Sequence, residues 1–576
     1  MAPGSRGTRG DVELSALEMI GVIADPSEHP VVREFFELFK TPWELYRKDR
    51  QYDVVLCAGD GQFDGTAKLL LLYAGNKTHL DDAQKIQTCP QRHRPGVFLY
   101  QGKRIPIYGD AVTFLPRGTI ILTDEESQNC AAYLEQFGGA HRARIGYDLF
   151  AEIRRLLTLG QPETKANIPT LELHIAFLRD LITSCGISIV EIPAAPEGFK
   201  FVACLTHDVD HPSVRLHKLD HTIVGFLLRA TFGSLVDTFL RRMSVRDAAR
   251  NWVAAIKLPF VYMGIAEDFW RDFDDRYLEL EESLPSTFFV IPRKNYSGKR
   301  VDGSAPALRA ARYEAKELKD TIRKLTRAGC EVGLHGIDAW LDSARGREEL
   351  EEVRLLTGSS EIGVRMHWLY YNEESPATLE KAGAAYDSTI GYNTTVGYRA
   401  GTTQAYKPLE AERLLELPMH AMDTALFYLS YLGLSPRKAS ARLRELTDTV
   451  AQYGGCLTIN WHDRSLAPER LWGGCYRELI KDLKSRGAWF ATAEQAVSWF
   501  RARRSVEFEE DPAYPCSIRA RVSSNYRDDL PGLRMRIYKL QSLAMEIPVD
   551  GAGVGEQIAD GVRSGLTGRS GSWDAK

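Results

Sequence analysis

Residues 203–212 read ACLTHDVDHP, an apolar run that breaks into two aspartates and two histidines within five positions. Asp208 and Asp210 are two apart, so on an extended chain both carboxylates point to one face. Two carboxylates held that close repel each other unless a proton or a metal ion neutralises them. More titratable residues recur where short apolar runs stop: His335 in GLHGIDAW, Arg365 and His367 in GVRMHWLYY, Asp387 in YDSTIG and His462 in INWHD. One carboxylate and two imidazoles suit a zinc-like divalent ion with a position left open for water. The second aspartate is then free to take a proton from that water.

Such residues need a scaffold that brings them together. From residue 200 onward the chain alternates strand-like runs (FVACLTHD, STFFVI, CEVGLHG, IGVRMHWL, AAYDSTIG, RLLELPM, CLTINWHD, AWFAT) with helical patterns. Repeated helix-then-strand units predict a parallel sheet, and seven or eight of them can close a barrel. Side chains at the C-terminal ends of such strands face one common pocket. The expected fold class is therefore α/β, with a distorted (β/α) barrel over 200–504. A largely helical insertion at 212–280 separates its first two strands. In AGCEVGLHG and YGGCLTINWHD a glycine follows the helix, where a C-cap belongs.

The flanks carry less chemistry. Residues 1–15 and 549–576 have disordered composition. Residues 16–195 read as a small α/β domain with helices near 145–158 and 170–184. Its glycines Gly59, Gly61 and Gly65 do not fit a GxGxxG phosphate loop. Residues 505–548 read as a β-rich appendage, because SIRARVSS and LRMRIYKL alternate polar and apolar residues.

Composition narrows the function classes. The 576 residues are 44% hydrophobic and 26% charged, and 73 basic against 77 acidic residues leave a net charge of -4. Bulk positive charge for nucleic-acid binding is absent, so no nucleic-acid partner is expected. The nine cysteines are scattered and form no CxxC pair, which predicts buried thiols in a reducing compartment. No secretory h-region is present, and the expected location is cytoplasmic. The apolar stretch HTIVGFLLRATFGSLVDTFLRRM, 221–243, is interrupted by Arg229 and Asp237. It predicts a packed helix or an amphipathic one lying on a membrane or a partner, peripheral to the inner membrane.

Over roughly residues 200–500 these motifs resemble the polysaccharide deacetylase superfamily (NodB homology, carbohydrate esterase family 4). THDVD at 206–210 is similar to the family's first motif. The resemblance makes Asp208 the catalytic base and Asp210 a metal ligand. His335 matches the first histidine of the family's HxxxH motif, but Ala339 stands where the second would be. His367 becomes the candidate third ligand, with His211 as the alternative. Arg365 resembles the arginine that orients the base, and His462 the histidine that protonates the leaving amine.

The implied activity is metal-dependent hydrolysis of an N-acetyl group on an amino sugar of a glycan or glycan precursor. A hydrolase of another non-peptide carbon–nitrogen bond and an inactive glycan-binding scaffold are the alternatives. The implied cofactor is one divalent ion, zinc by preference, and the implied partners are a carbohydrate and a glycan-synthesis complex. Trp368, Tyr370, Asp387, Arg399 and Trp461 are candidate substrate-binding residues. Trp340, Tyr371, Tyr392 and Tyr398 are further aromatic candidates. Glu416, Asp423 and Asp463 are candidate partners of the histidines.

Overall fold

The computed structural model describes residues 19–218, 220–510, 518–522, 527, 529–539 and 542–549. The stretches expected to be disordered, 1–15 and all but the first residue of 549–576, lie outside them. Two compact units form: residues 153–172 with 199–498, and the described parts of 1–152, 173–198 and 499–576.

The first unit is built on strand β1, Phe201–Val209, all nine of whose residues are buried. A parallel strand covered on both faces has no solvent side to alternate toward, which explains its continuous apolar character. Around it lie β2 (Ser286–Val290), β3 (Glu331–Gly336), β4 (Val364–Met366), β5 (Ala421–Met422), β6 (Cys456–Asn460) and β7 (Ala488–Phe490). They form a curled, all-parallel sheet in the order β4-β3-β2-β1-β6-β5. β7 pairs with Phe201–Ala203, and β2 with Leu205–Val209. Phe201, Leu205, Val209, Phe288, Leu334, Val364 and Ile459 belong to one continuous buried cluster. Full burial of each such side chain is worth about 1.5–3 kcal/mol.

Helices Lys319–Arg327, Ser343–Thr357, Ser375–Ala382, Pro436–Tyr453 and Gly473–Ser485 separate the strands. Gly329 (φ 85°) and Gly454 (φ 83°) take the left-handed conformations expected of residues ending helices.

The expected regular series of strands is interrupted, and the sheet stops short of a full barrel. AAYDSTIG and RLLELPM make only single bridges, with Asp387 paired to Val364 on one side and Glu416 on the other. Backbone bonds persist there, with Ser388 N donating to Val364 O and Leu417 N to Asp387 O at 2.8 Å each, and hydroxyl groups add to them. Met366 N donates to Thr389 Oγ1 at 3.0 Å, and Ser388 Oγ donates to Leu417 O at 2.8 Å. Side-chain oxygens that satisfy backbone groups compete with strand pairing. IGVRMHWL is likewise a strand only over Val364–Met366. His367–Leu369 forms a 3₁₀ turn with Trp368 at φ 64°.

Between β1 and β2 the chain is largely helical. His221–Leu228 and Ser234–Phe239 are joined by a π-helical turn, Arg229–Gly233, and Val245–Tyr262 and Phe273–Glu281 follow. Ile223, Phe226 and Ala230 pack against Ala254, Leu258, Val261 and Trp270.

The second unit holds a nine-stranded sheet. Trp43–Leu45, Ile20–Ile23, Val54–Ala58, Leu69–Tyr73 and Ala140–Ile145 run parallel. Cys130–Phe137, Thr119–Asp124, Gly96–Tyr100 and Lys103–Ile107 continue it antiparallel.

The units do not follow the expected linear boundaries. Residues 153–172, expected within 16–195, belong to the first unit. Within the second unit, Leu533–Lys539 pairs with Ile189–Glu191 and with Ser542–Val549. The expected C-terminal appendage therefore shares a sheet with a segment more than 300 residues upstream. The eight cysteines among the described residues are free thiols, and six of them are buried.

Candidate active site

Alternation along β1 decides which of its polar residues can act together. Thr206, Asp208 and Asp210 share one face. His207 points the other way, where it is fully buried against Glu281 (Nε2 to Oε1, 2.9 Å) and the Trp461 carbonyl (2.8 Å). It is a satisfied core histidine.

Asp210, His335 and His367 offer three ligand atoms that all lie within 4.8 Å of one another. His335 Nε2 is 3.4 Å and His367 Nε2 3.6 Å from Asp210 Oδ1. The donor set fits a divalent ion in three respects. Asp210 Oδ1 is buried without a hydrogen bond. His335 Nδ1 faces the Arg365 carbonyl at 2.9 Å, so that nitrogen carries the proton and Nε2 presents a lone pair. Burial pushes the His367 imidazole down to about 3, keeping it neutral.

Ala339 is fully buried, packed close against Gly346, and offers no ligand atom. The turn after β4 brings His367 into this cluster instead. His211 is turned to His217, Nδ1 to Nε2 at 3.2 Å, and is not one of the three.

Asp208 sits 3.8 Å from His335 Nε2. Arg365 donates to its Oδ1 at 3.1 Å and to Thr206 Oγ1 at 2.6 Å. Asn460 Nδ2 donates to its Oδ2 at 2.7 Å. Burial works against ionisation of Asp208, but Arg365 and the protonated His462 outweigh it and hold the carboxyl below its usual range. Arg365 is itself fully buried, over the Phe289 ring at 4.5 Å.

His462 enters from the end of β6, with Nε2 3.8 Å from Asp210 Oδ2. Its Nδ1 meets Asp423 Oδ1 at 2.6 Å. Burial disfavours the imidazolium, yet Asp423, then Asp210 and Asp208, raise its pKa to about 9.

Asp208, Asp210, His335, His367 and His462 line a cleft of about 420 Å³. Trp368 and Tyr370 line it too, with Trp368 42% exposed and Tyr370 under the Arg309 guanidinium at 4.1 Å. Three expected substrate-binding residues lie elsewhere. Trp461 is fully buried and stacked on Tyr476 at 5.0 Å, because it occupies the β6 face opposite His462. Asp387 is buried and forms a carboxyl pair with Glu416, its pKa raised to about 6 by desolvation. Arg399 donates to the Gly391 carbonyl at 2.9 Å. Neither Asp387 nor Arg399 borders the cleft.

Asn460, Tyr428, Tyr431, Arg464 and Arg470 were not anticipated. Asn460 had a signal: it lies two before His462 on the same strand end, and so on the same face. The others come from irregular segments with no periodicity to read.

No family model matches the chain, nor does any curated protein sequence. Among solved structures, a putative polysaccharide deacetylase from Mycobacterium smegmatis is similar at 20% identity over 55% of this chain and 96% of its own, with a TM-score of 0.34. Agd3, described as a novel carbohydrate deacetylase, is similar at 9% identity over 92% of both chains, TM-score 0.34. A family 4 carbohydrate esterase from Streptomyces lividans, in complex with acetate, is similar at 14% identity over 52% of this chain and 93% of its own, TM-score 0.23.

Proposed function

We propose that the chain is a metal-dependent hydrolase that removes an N-acetyl group from an amino sugar. One observation carries the reading. The cleft holds a carboxylate kept ionised (Asp208), an imidazole kept protonated (His462) and a ligand triad (Asp210, His335, His367). Pairs of groups whose environments push their pKa values apart are what acid–base catalysis requires. The motif resemblance of THDVD, His335 and His462 supports an acetamide as the bond cut. Trp368 and Tyr370, which line the cleft, offer aromatic faces on which a sugar ring can stack.

Asp210, His335 and His367 would hold the ion, which when bound polarises the acetamide carbonyl and acidifies water. Asp208 accepts the proton of the attacking water on a second lone pair of its carboxylate, since Arg365 engages Oδ1 and Asn460 engages Oδ2 by one hydrogen bond each. Arg365 and Asn460 keep its carboxylate in one orientation. His462 delivers its Nε2 proton to the leaving nitrogen, and Asp423 holds Nδ1–H and balances the imidazolium charge. Acetate and a free amine leave.

The test is acetate release from N-acetylglucosamine oligomers by the zinc-loaded protein, beside Asp208→Asn. Release that falls roughly 10²–10⁴-fold in the variant, the range of general-base contributions, is expected. Metal-loaded wild type that releases no acetate from any N-acetylated sugar overturns the reading.

A further inference from the structure

We infer that the cleft carries an anion subsite, formed by Arg464 and Arg470 with Tyr428, that selects a phosphorylated or carboxylated amino sugar. The inference rests on the hydrolase reading and names its substrate class. All three residues line the cleft that holds the ligand triad. Arg464 and Arg470 are only 6% and 4% exposed. Arg464 Nε and NH1 and Arg470 Nε are buried with no hydrogen-bond partner. A buried guanidinium with unused donors is costly unless a complementary anion meets it.

Glu469 is the shared carboxylate, and Arg229 takes its Oε2 at 2.7 Å. Its Oε1 is 3.5 Å from Arg470 Nε and 3.9 Å from Arg464 NH1, and accepts no hydrogen bond. Glu469 is thus the carboxylate that all three guanidiniums share, while Asp423 and Asp463 act on Arg470 from further off. Arg464 also lies over Trp270 at 5.0 Å, and Arg470 over Tyr428 at 5.3 Å, which fixes their planes without neutralising them. Burial alone would raise the Tyr428 hydroxyl, but Arg470 and Arg464 hold it below its usual range.

The subsite is wired to the proposed acid. Arg470 NH1 donates to Ser465 Oγ at 3.1 Å, Ser465 Oγ donates to Asp423 Oδ2, and Asp423 holds His462. Planar guanidiniums suit bidentate recognition of phosphate or carboxylate.

The test compares acetate release by zinc-loaded protein from N-acetylglucosamine, N-acetylglucosamine 1-phosphate and 2-acetamido-2-deoxyglucuronate. Wild type should favour an anionic probe in kcat/KM by roughly 10- to 100-fold, the worth of a hydrogen bond to a charged group, and the preferred probe identifies the anion. Arg464→Gln and Arg470→Gln should abolish the preference. Equal use of neutral and anionic probes by wild type overturns the subsite and leaves the hydrolase reading standing, whether or not the variants fold. Calorimetry with inorganic phosphate on Asp210→Asn, whose triad is disabled, separates the two ideas. Phosphate binding there that disappears on adding Arg470→Gln, with no acetate from any probe, keeps the subsite and removes the hydrolase. Absence of phosphate binding to Asp210→Asn and to wild type overturns the subsite.

A separate observation carries a second inference: the helical insertion docks on an anionic lipid surface. On His221–Phe239, Val224, Leu228, Phe232, Leu235, Val236 and Phe239 are 48–86% exposed, at helical spacing. Val245, Trp252, Ile256, Phe260 and Met263, 42–75% exposed, form a like stripe beginning on Val245–Tyr262. The two helices are joined through Asn251 Nδ2 to Ser234 Oγ, 2.9 Å, and Trp252 Nε1 to Thr231 O, 3.3 Å. His221–Phe239 is long and apolar enough to cross a membrane by composition, with 28% of its apolar window buried. Apart from Arg229, which Glu469 engages, Arg241, Arg242, Arg246, Arg250 and Lys257 outnumber the two carboxylates, Asp237 and Asp247, between 221 and 265. Apolar stripes bordered by cations suit insertion among anionic headgroups.

Full-length protein should co-sediment with phosphatidylglycerol-containing vesicles roughly tenfold better than with pure phosphatidylcholine. Phe232→Glu with Phe239→Glu should abolish this while leaving Tm and acetate release unchanged. Wild type that ignores anionic vesicles overturns the inference, as does self-association lost in the same variant without vesicle binding. Arg241→Glu with Arg242→Glu gives an independent arm, weakening anionic-vesicle binding only.

Discussion

Asn460 grips Asp208 twice: its Nδ2 donates to the carboxylate Oδ2 at 2.7 Å, and its Oδ1 accepts the Asp208 backbone N–H at 3.2 Å. The clamp follows from β6 lying beside β1, with Thr206 opposite Asn460. It fixes both the position and the direction of the proposed base. Losing a hydrogen bond to a charged group is worth about 1.5–3 kcal/mol. Asn460→Leu is therefore expected to lower kcat about 10- to 100-fold with metal content unchanged. Unaltered kcat would detach Asn460 from the reaction.

Metal binding should be all-or-none with respect to the triad. Wild type is expected to hold a zinc ion per chain by mass spectrometry and to gain Tm on zinc addition, since a ligand of the folded state alone stabilises it. Asp210→Ala, His335→Ala and His367→Ala should each lose both responses. A His367→Ala protein that keeps its zinc would move the third ligand elsewhere.

His462 should set the alkaline limb of the kcat profile. Its pKa is raised to about 9 in the folded chain, against about 6.5 for an unperturbed imidazole. The stability it contributes is therefore complete below about 6.5 and is lost as pH rises through the folded value. Asp423→Asn removes the largest raising influence, so the alkaline limb should move to lower pH. A limb that stays in place would assign the acid role to another group.

The fold was legible where pattern is regular. β1, β2, β3 and β6 are near-continuous apolar runs, and β1, β3 and β6 each end in a residue of the site or beside one. Position 367 was legible because Ala339 left a ligand missing and His367 closes the neighbouring run. AAYDSTIG and RLLELPM look like strands by composition, but they pair only through single bridges, Thr389 Oγ1 takes the Met366 N–H, and Asp387 turns to Glu416 instead of the cleft. Trp461 was placed in the cleft by its nearness to His462, although one step along a strand reverses the face. Arg464 and Arg470 sit on a loop, where spacing carries no information on direction.

The Asp387–Glu416 pair predicts a stability effect with no catalytic counterpart. Burial raises both groups, Asp387 to about 6. For a carboxyl raised on folding, stability is full below the unfolded value, about 3.9, and is lost as pH rises through the folded one. Asp387→Asn should therefore gain Tm relative to wild type between pH 5 and pH 8. Thermal melts across that range check it, and a constant difference would rule out ionisation of the pair.

The turn after β4 places Trp368 and Leu369 consecutively at φ 64° and 53°. Left-handed backbone at a residue with a large side chain costs of order 1–3 kcal/mol, and glycine or asparagine would remove most of it. Mutational drift in a lineage released from selection on the cleft should therefore run toward glycine or asparagine at 368. An indole persisting there among divergent descendants would record continuing use of the site, legible in sequences alone and independent of any assay.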